Sequence, residues 1–555
     1  METLTKDVLV VGAGGAGMTA AAVAARHGLD VLLVEKTSHF GGTTAWSGGG
    51  IWVPCNALEL AAGHDDSLAQ ARAYIKEVIG PTLREDLLDA FLEAAPAMVD
   101  FLQQKTAVQF SLHEGFPDWY QEAPGATTSG RLLAPMEFNG LELGAYFQRL
   151  REPLSEFNAP AGMMIGFNDM PHIANVKKSW QSFRYVAGLV ASFLWDKLRY
   201  RRGTRLTMGN ALAARLLKSC VDAGVELWSS AALQELQTDG GRVVGAIVNK
   251  DGQQVQVRAR RGVILASGGF SASLEFRRQF IPYPEQHVSL VCEGNNGVAI
   301  SNALQLGASF DGDNISNAGW IVISVLQQAD GSVRKFPHLF LDRGKPGCIA
   351  VNLQGQRFGN ESTTNLVEPM HESGSVPAYL LCDHRFIKKY GLGLVRPGGI
   401  GLKKMLQAGY VLKGESLAEL AATTGIDAAN LEATVARFNQ YAAAGEDKDF
   451  GRGGSKDDFN MGDMNHKPNP CLGPIQQGPF YAVKIFPGDS TTTVGLKVDT
   501  QARVLNQQGE PIPGLQAVGL DMNSLWRGKA PSHGGNNTLS LTFGYIAATS
   551  LVSQQ

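Results

Sequence analysis

Two clusters of glycine near the start of the chain have the spacing to hold phosphate, and with it a redox nucleotide. Gly12, Gly14 and Gly17 form a GxGxxG run, and an acid follows at Glu35. In such a run the first glycine allows a tight turn and the second lets a pyrophosphate approach the backbone. The third lets the following helix pack against its strand. Gly15 and Ala16 lie within that run as further cofactor contacts, and the N–H groups at the N-terminus of the helix that follows meet phosphate charge. Glu35 closes the next strand, where a carboxylate accepts a ribose hydroxyl, and Lys36 stands beside it. The second cluster, residues 41–50, supplies Gly42, Thr43, Thr44, Ser47, Gly48 and Gly49. A nicotinamide dinucleotide has no use for so much bare backbone there. FAD does, because its ribityl chain, pyrophosphate and ring system lie along a longer stretch. The residues point to FAD first and NAD second.

These residues need a frame of parallel strands to hold them. Residues 8–11 read as a buried strand, 18–26 as a helix and 31–34 as the next strand. Farther along, 209–223 reads as a helix and 225–228 as a strand, and 243–249 with 254–258 form a hairpin around Asp251-Gly252. Residues 262–266 read as another buried strand, running into Ser267-Gly268-Gly269-Phe270 as a further phosphate or flavin contact. The C-terminal part holds a strand at 514–519 and a helix at 538–551. Sheet strands at both ends of a chain imply an insertion between them. The expected fold class is α/β: a Rossmann-like FAD-binding domain of discontinuous sequence, 1–285 and 470–555, with an inserted α+β substrate or capping domain at 286–469. Inside the insertion, 417–420 and 431–441 read as surface helices and 445–456 as a polar loop.

The 555 residues suffice for two or three domains with sizeable cores. A composition of 44% hydrophobic and 18% charged residues fits a globular enzyme, and 65 glycines suit a protein that wraps a cofactor in loops. The net charge of −3 gives no reason to expect nucleic acid. Six scattered cysteines without a CxxC pair imply neither a disulfide framework nor a metal or haem site. The first strand begins too early for a signal peptide, and no run approaches the roughly 20 apolar residues of a membrane span. The expected compartment is the cytoplasm. Residues 186–195, followed by a basic stretch through Arg202, read as a buried helix with a solvated basic end. Peripheral contact with a membrane surface is the alternative.

Further runs complete a signature: 205–212, 261–270, 341–347, 356–362, Pro487-Gly488-Asp489 and 542–547. On these, and on the glycine clusters, the chain resembles the FAD-dependent 3-ketosteroid dehydrogenases, within the wider succinate dehydrogenase/fumarate reductase flavoprotein superfamily. The resemblance covers nearly the whole chain. It implies FAD, a small hydrophobic ketone as substrate and a separate electron acceptor. His39 lies only two positions before Gly41, closer than covalent flavin attachment uses, so the flavin is expected to be non-covalent. The chain departs from the family at its three site tyrosines. Asp118-Trp119-Tyr120 keeps one, Thr363-Thr364-Asn365 lacks the second, and Ala530-Pro531-Ser532-His533-Gly534 keeps only the final glycine of the loop that the third one opens.

Desaturation beside a ketone needs a base for the α-proton and an acceptor for the β-hydride, which flavin N5 supplies. One preorganised donor to the ketone oxygen contributes about 3–4 kcal/mol, on the order of 10²–10³ in rate. The 532–537 loop offers the Ser532 hydroxyl, the His533 imidazole and the Gly534 N–H. His533 is assigned as a substrate-facing donor or base, since an ordinary pKa of about 6.5 suits proton transfer at neutral pH. Tyr120 is the remaining phenol of the site or a pocket wall. Arg343 stands near the position where fumarate reductases carry a proton-donating arginine; the steroid-like branch implies a structural role for it. Asn365 is a substrate contact or a rim residue, and Trp46, Trp52 and Trp119 line an apolar pocket or the core. The C-terminal helix points its positive end at the flavin. The remaining cofactor contacts are assigned to Ala232, Ala266, Gly268, Asp521, Asn537 and Thr538. Two other readings stay open. One is a fumarate-reductase-like reductase of an activated C=C bond, which needs cations such as Arg343, Arg527 and Lys529. The other is a non-catalytic flavin carrier.

Overall fold

The computed structural model describes residues 2–158, 162–339 and 341–553, and the chain divides into two compact units. The first unit comprises Met1–Ser273, Cys292–Asn317 and Thr492–Gln555. In it β1 (Glu2–Val11) leads into α1 (Gly15–Arg26) and back to β2 (Val31–Val34). There follow α2 (Trp180–Tyr200), α3 (Met208–Asp222), β3 (Glu226–Trp228), β4 (Gln253–Leu265), β5 (Pro511–Ala517) and α4 (Gly535–Val552). The sheet runs in the order Arg503–Leu505, β5, β4, β1, β2, β3. From β5 to β3 every neighbouring pair is parallel. Parallel strands are covered on both faces and read as unbroken apolar runs; Val8, Leu9 and Val10 of β1 and Leu32 and Leu33 of β2 are fully buried.

The hairpin strands Ala231–Asp239 and Arg242–Lys250 extend the sheet on one side of β4. Sequence patterning divides β4 into two pieces, 254–258 and 262–266. They are one strand, because it pairs along its length with β1 while its first half also pairs with Arg242–Lys250. Helix α1 is built of small buried residues, which lets α4 come close: a Cβ on Gly544 would lie 2.6 Å from Ala16 O. Helix α2 departs from the expectation of a buried helix, since of its residues only Ser182 and Phe193 are buried.

The second unit comprises Leu274–Val291 and Ala318–Thr491. Its sheet runs Val333–Pro337, Ala318–Gln327, Phe480–Thr492, Ala378–Asp383, Cys348–Val351. Apolar clusters pack on it, one around Met370, Leu380 and Tyr410 and another around Leu420, Leu431 and Phe438. The unit extends to Thr491 rather than 469 because Phe480–Thr492 is its central strand. Its buried polar centre is Glu361, which accepts from Arg357 at 2.8 Å, Arg452 at 2.9 Å and Ala350 N at 3.0 Å. Burial opposes the charge, but the two guanidinium groups hold the Glu361 carboxyl down at about 2. The 356–362 signature is therefore a folding element of this unit.

Candidate active site

At the end of β1 the chain turns through Gly12, whose φ is +108°. A Cβ there would lie 2.2 Å from Ala266 O, and one on Gly17 would lie 1.9 Å from Gly12 O. Packing of the protein itself requires both glycines. Gly14 differs, because a Cβ on it would meet nothing within 4 Å. Backbone stays open to a ligand at the start of α1. The second glycine cluster comes to the same place. Gly41 N donates to Ala13 O at 2.9 Å, and a Cβ on Gly42 would lie 3.0 Å from Gly14 Cα. Thr44 Oγ1 accepts from Gly15 N at 3.0 Å, and Thr43 Oγ1 accepts from Cys292 N and Asn295 Nδ2. Ser47 Oγ accepts from Asn537 Nδ2 at 3.3 Å and Gly49 N at 3.0 Å, while Gly48 faces open space.

Glu35 is buried at the end of β2, where Oε2 accepts from Ala13 N at 3.0 Å and Oε1 from Thr37 N at 2.9 Å. Its backbone oxygen accepts from Ala231 N, which brings Ala232 to the same end of the sheet. Lys36 lies exposed beside it. On the far side of Gly12, Asp521 accepts from Ser267 N, Ser267 Oγ and Gly269 N. Burial pushes the Asp521 carboxyl up to about 6, and its bonds fix the loop in which Gly268 takes a φ of +90°. An open helix N-terminus, a strand-end carboxylate and two bare glycine stretches make a donor set that fits FAD.

The C-terminal turn is held against this cradle. Pro531 O accepts from Tyr74 Oη at 2.5 Å and from Trp119 N at 3.1 Å. Gly534, at a φ of +80°, packs so that a Cβ would lie 2.5 Å from Gly50 O. Ser532 Oγ donates to Pro117 O at 3.2 Å. Thr538 Oγ1 accepts from Trp52 N at 2.6 Å and donates to Gly534 O at 3.1 Å. Both hydroxyl protons are thereby committed to the protein, which holds the turn and leaves the Ser532 and Thr538 oxygens as acceptors only. The His533 ring stands edge-on to Trp119 and Phe116, with centroids 5.1 and 5.8 Å away. His113 stacks on Phe116 at 4.4 Å and meets Phe167 at 4.7 Å. Burial, with His113 nearby, pushes the His533 imidazole down to about 4. It is neutral at pH 7 and suits a hydrogen-bond donor better than the base its ordinary pKa suggests.

Among the described residues, Trp119 Nε1 and His113 Nε2 are buried without a hydrogen-bond partner. Tyr120 is 37% exposed, and its backbone N–H donates to Tyr74 Oη at 3.3 Å. Under this segment lies an ion network that sequence reading missed. Arg131 reaches Asp66 at 2.6 Å and Asp118 at 2.8 Å, and Asp118 also accepts from Trp52 Nε1 at 2.6 Å. All three ionic side chains are buried. Asp118 directly precedes Trp119, so the network fixes the strand of chain that carries both site aromatics. Trp52 belongs to this core rather than to a pocket, and Trp46 Nε1 is occupied by Glu152 O.

Arg343 lies in the second unit and is buried. Its Nε, Nη1 and Nη2 donate to the backbone oxygens of His338, Glu361 and Thr364 at 2.7, 2.6 and 3.3 Å. Burial pushes it down to about 10, still charged at neutral pH. Each of its nitrogens donates to a backbone oxygen of its own unit, so it clamps loops there. Asn365 Oδ1 accepts from Glu368 N at 3.2 Å as a local cap.

Residues 7–537 match the family of FAD binding domains. The chain is 38% identical to the 4-oxocyclohex-2-ene-1-carboxylate 5-dehydrogenase of Sinomonas cyclohexanicum, over 98% of this chain and 93% of that protein. It is 34% identical to a 3-oxosteroid 1-dehydrogenase of Mycolicibacterium smegmatis, over 99% of this chain and 97% of that protein. Among solved structures it is similar to 3-ketosteroid delta1-dehydrogenase from Sterolibacterium denitrificans in complex with 1,4-androstadiene-3,17-dione. The TM-score there is 0.91 at 35% identity, covering 99% of this chain and 100% of that one.

Proposed function

Because this chain belongs to the FAD-binding-domain family and, within it, to the 3-ketosteroid dehydrogenase-like flavoproteins, we propose that it desaturates a cyclic, apolar ketone at the carbon pair beside the carbonyl. The substrate is a steroid-like or alicyclic ring ketone, the structural feature shared by the substrates that its relatives' names describe. FAD, bound without a covalent link, supplies the acceptor for the β-hydride. The chain's own residues do the rest. Gly14 and the 41–50 stretch present backbone to the dinucleotide, Gly12 and Gly17 shape the turn and the helix packing that let them do so, and Glu35 receives a ribose hydroxyl. The neutral His533 imidazole and the Trp119 Nε1–H donate to the ketone oxygen as charge builds there. Tyr120 is the group assigned to the α-proton, because His533 is too weakly basic at about 4. A separate electron acceptor completes turnover.

The observation that carries this reading is the setting of His533: an uncharged imidazole among apolar rings, directly before the N-terminus of α4. It suits an uncharged ketone. A fumarate-type substrate needs cations for its carboxylates, and of the three named from the sequence Arg343 is engaged by backbone oxygens and Arg527 by Asp311 and Asp313 O, which leaves Lys529 alone. The test is steady-state turnover with a dye acceptor against a panel of 3-oxosteroids, cyclohexanones and fumarate-type acids. Dye reduction with ring ketones is expected; turnover confined to the acids, run in the reducing direction, contradicts it. The compartment proposed is the cytoplasm: the six cysteines are free and five are buried. Among the described residues no helix is long and apolar enough to cross a membrane.

A further inference from the structure

Helix α2 carries its apolar residues on the wrong side for a globular protein. Its inner face is anchored to the first unit, since Tyr185 Oη donates to Asp169 Oδ1 at 2.7 Å and Phe193 is buried against Gly203. The outward face holds Trp180, Phe183, Val190, Leu194 and Leu198. Their spacings of three, seven, four and four residues place them on one stripe of a helix with 3.6 residues per turn. Trp180, Leu194 and Leu198 are 72, 56 and 83% exposed, and Trp195 on the stripe's edge is 63% exposed. Trp180 and Phe183 stack at 5.3 Å, and Met170, in the short helix just before, is 53% exposed. Scattered exposed apolar side chains need no explanation; an aligned row of this size does.

The charges around the stripe say what covers it. Between residues 170 and 202 every exposed ionic side chain is cationic: Lys177, Lys178, Arg184, Lys197, Arg199 and Arg201. Two acids beside the helix are withdrawn, Asp169 by burial with Arg205 and Asp196 by accepting from Thr204 N and Oγ1, and the exposed Glu137 is paired with the same Arg205. A tryptophan-bearing apolar stripe flanked by Lys and Arg is the pattern of a helix that lies in a lipid interface. A second protein copy would place these cations against themselves.

We propose that α2 docks the protein on an anionic phospholipid surface, with Trp180, Leu194, Trp195 and Leu198 in the headgroup–acyl boundary and Lys177, Lys178 and Arg199 at the phosphates. None of these residues belongs to the cradle or to the His533 site. Flotation of the holoenzyme with phosphatidylcholine vesicles, with and without phosphatidylglycerol, tests it. The wild type is expected to float with the anionic vesicles and to be released by salt. Substituting Trp180→Ser, Leu194→Gln, Trp195→Ser and Leu198→Gln together should abolish flotation while ketone turnover stays unchanged. Lys177→Gln, Lys178→Gln and Arg199→Gln should each weaken it by roughly fivefold, the equivalent of about 1 kcal/mol per cation. These single variants keep the test open if the quadruple variant misfolds. Absence of wild-type flotation overturns the proposal. So does flotation that ignores the cations, or a patch variant whose sole effect is to dissociate a dimer.

Discussion

At the scale of single residues the site separates groups that meet the substrate from groups that hold them. His533→Phe keeps the ring volume among Trp119 and Phe116 but removes the donor. Its expected cost is on the order of 10²–10³ in kcat, about 3–4 kcal/mol of transition-state stabilisation, read by dye reduction with a ring ketone. Tyr120→Phe should lower kcat by roughly 10²–10⁴ and stop solvent deuterium from entering the α-carbon. Retention of that exchange would assign the base elsewhere. Since His533 titrates at about 4, it gives the kcat profile no inflection near its ordinary pKa. Glu59 provides the complementary pH effect. It is buried, and burial with the neighbouring Asp66 pushes it from 4.5 up to about 7. The folded state thus holds a proton that the unfolded chain releases. The stability this confers is complete below about 4.5 and is lost as pH rises through about 7. Glu59→Gln, measured by thermal unfolding, should stabilise the protein at pH 8 by on the order of 2 kcal/mol and flatten that dependence. The glycines were legible in the sequence because turn geometry and close approach are local demands that only glycine meets. Asp66, Asp118 and Arg131 were not, because their pairing is made by the fold across distant positions and leaves no fixed spacing.

At the scale of elements, the parallel strands β1 and β2 and the helix between them stand close to where apolar patterning puts them. Helix α2 does not, since an apolar run reads the same whether it faces a core or a lipid surface. Burial is decided by what packs on the helix, and here only one side is covered. The two packing glycines and the ligand-facing one give a contrast at this scale. Gly17→Ala drives a Cβ to 1.9 Å from Gly12 O and should destabilise the apoprotein, whereas Gly14→Ala meets nothing within 4 Å and should leave its melting temperature unchanged. Gly14→Ala should weaken FAD uptake all the same, measured by flavin fluorescence quenching. If both variants melt alike, the cradle is misassigned. The turn at Gly534 is a case the sequence half revealed: the surviving glycine was visible, but its tight seat on Gly50 O was not, because the two are distant in the chain.

At the scale of the whole molecule, the nucleotide-binding sheet is completed only by the last residues. β5 pairs with β4, and α4 supplies both the cover for α1 and the turn that carries His533. A chain ending at Thr491 keeps β1, β2 and β4 but lacks these, and should fail to retain flavin, as measured by bound absorbance after gel filtration. The sequence showed that the first unit is interrupted, because strand patterns recur at both ends. The boundary at Thr491 was hidden, since Pro487, Gly488 and Asp489 break the apolar pattern of Phe480–Thr492 and keep it from reading as one long strand. All of this converges on one chemical claim, the removal of two hydrogens from a ring ketone. Anaerobic single turnover tests it most directly: the oxidised holoenzyme is mixed with one equivalent of a saturated 3-oxo ring ketone. Flavin bleaching with formation of one equivalent of enone, two hydrogens lighter, is the expected result. A flavin that stays oxidised with every ring ketone, yet after chemical reduction passes its electrons to fumarate, would contradict it.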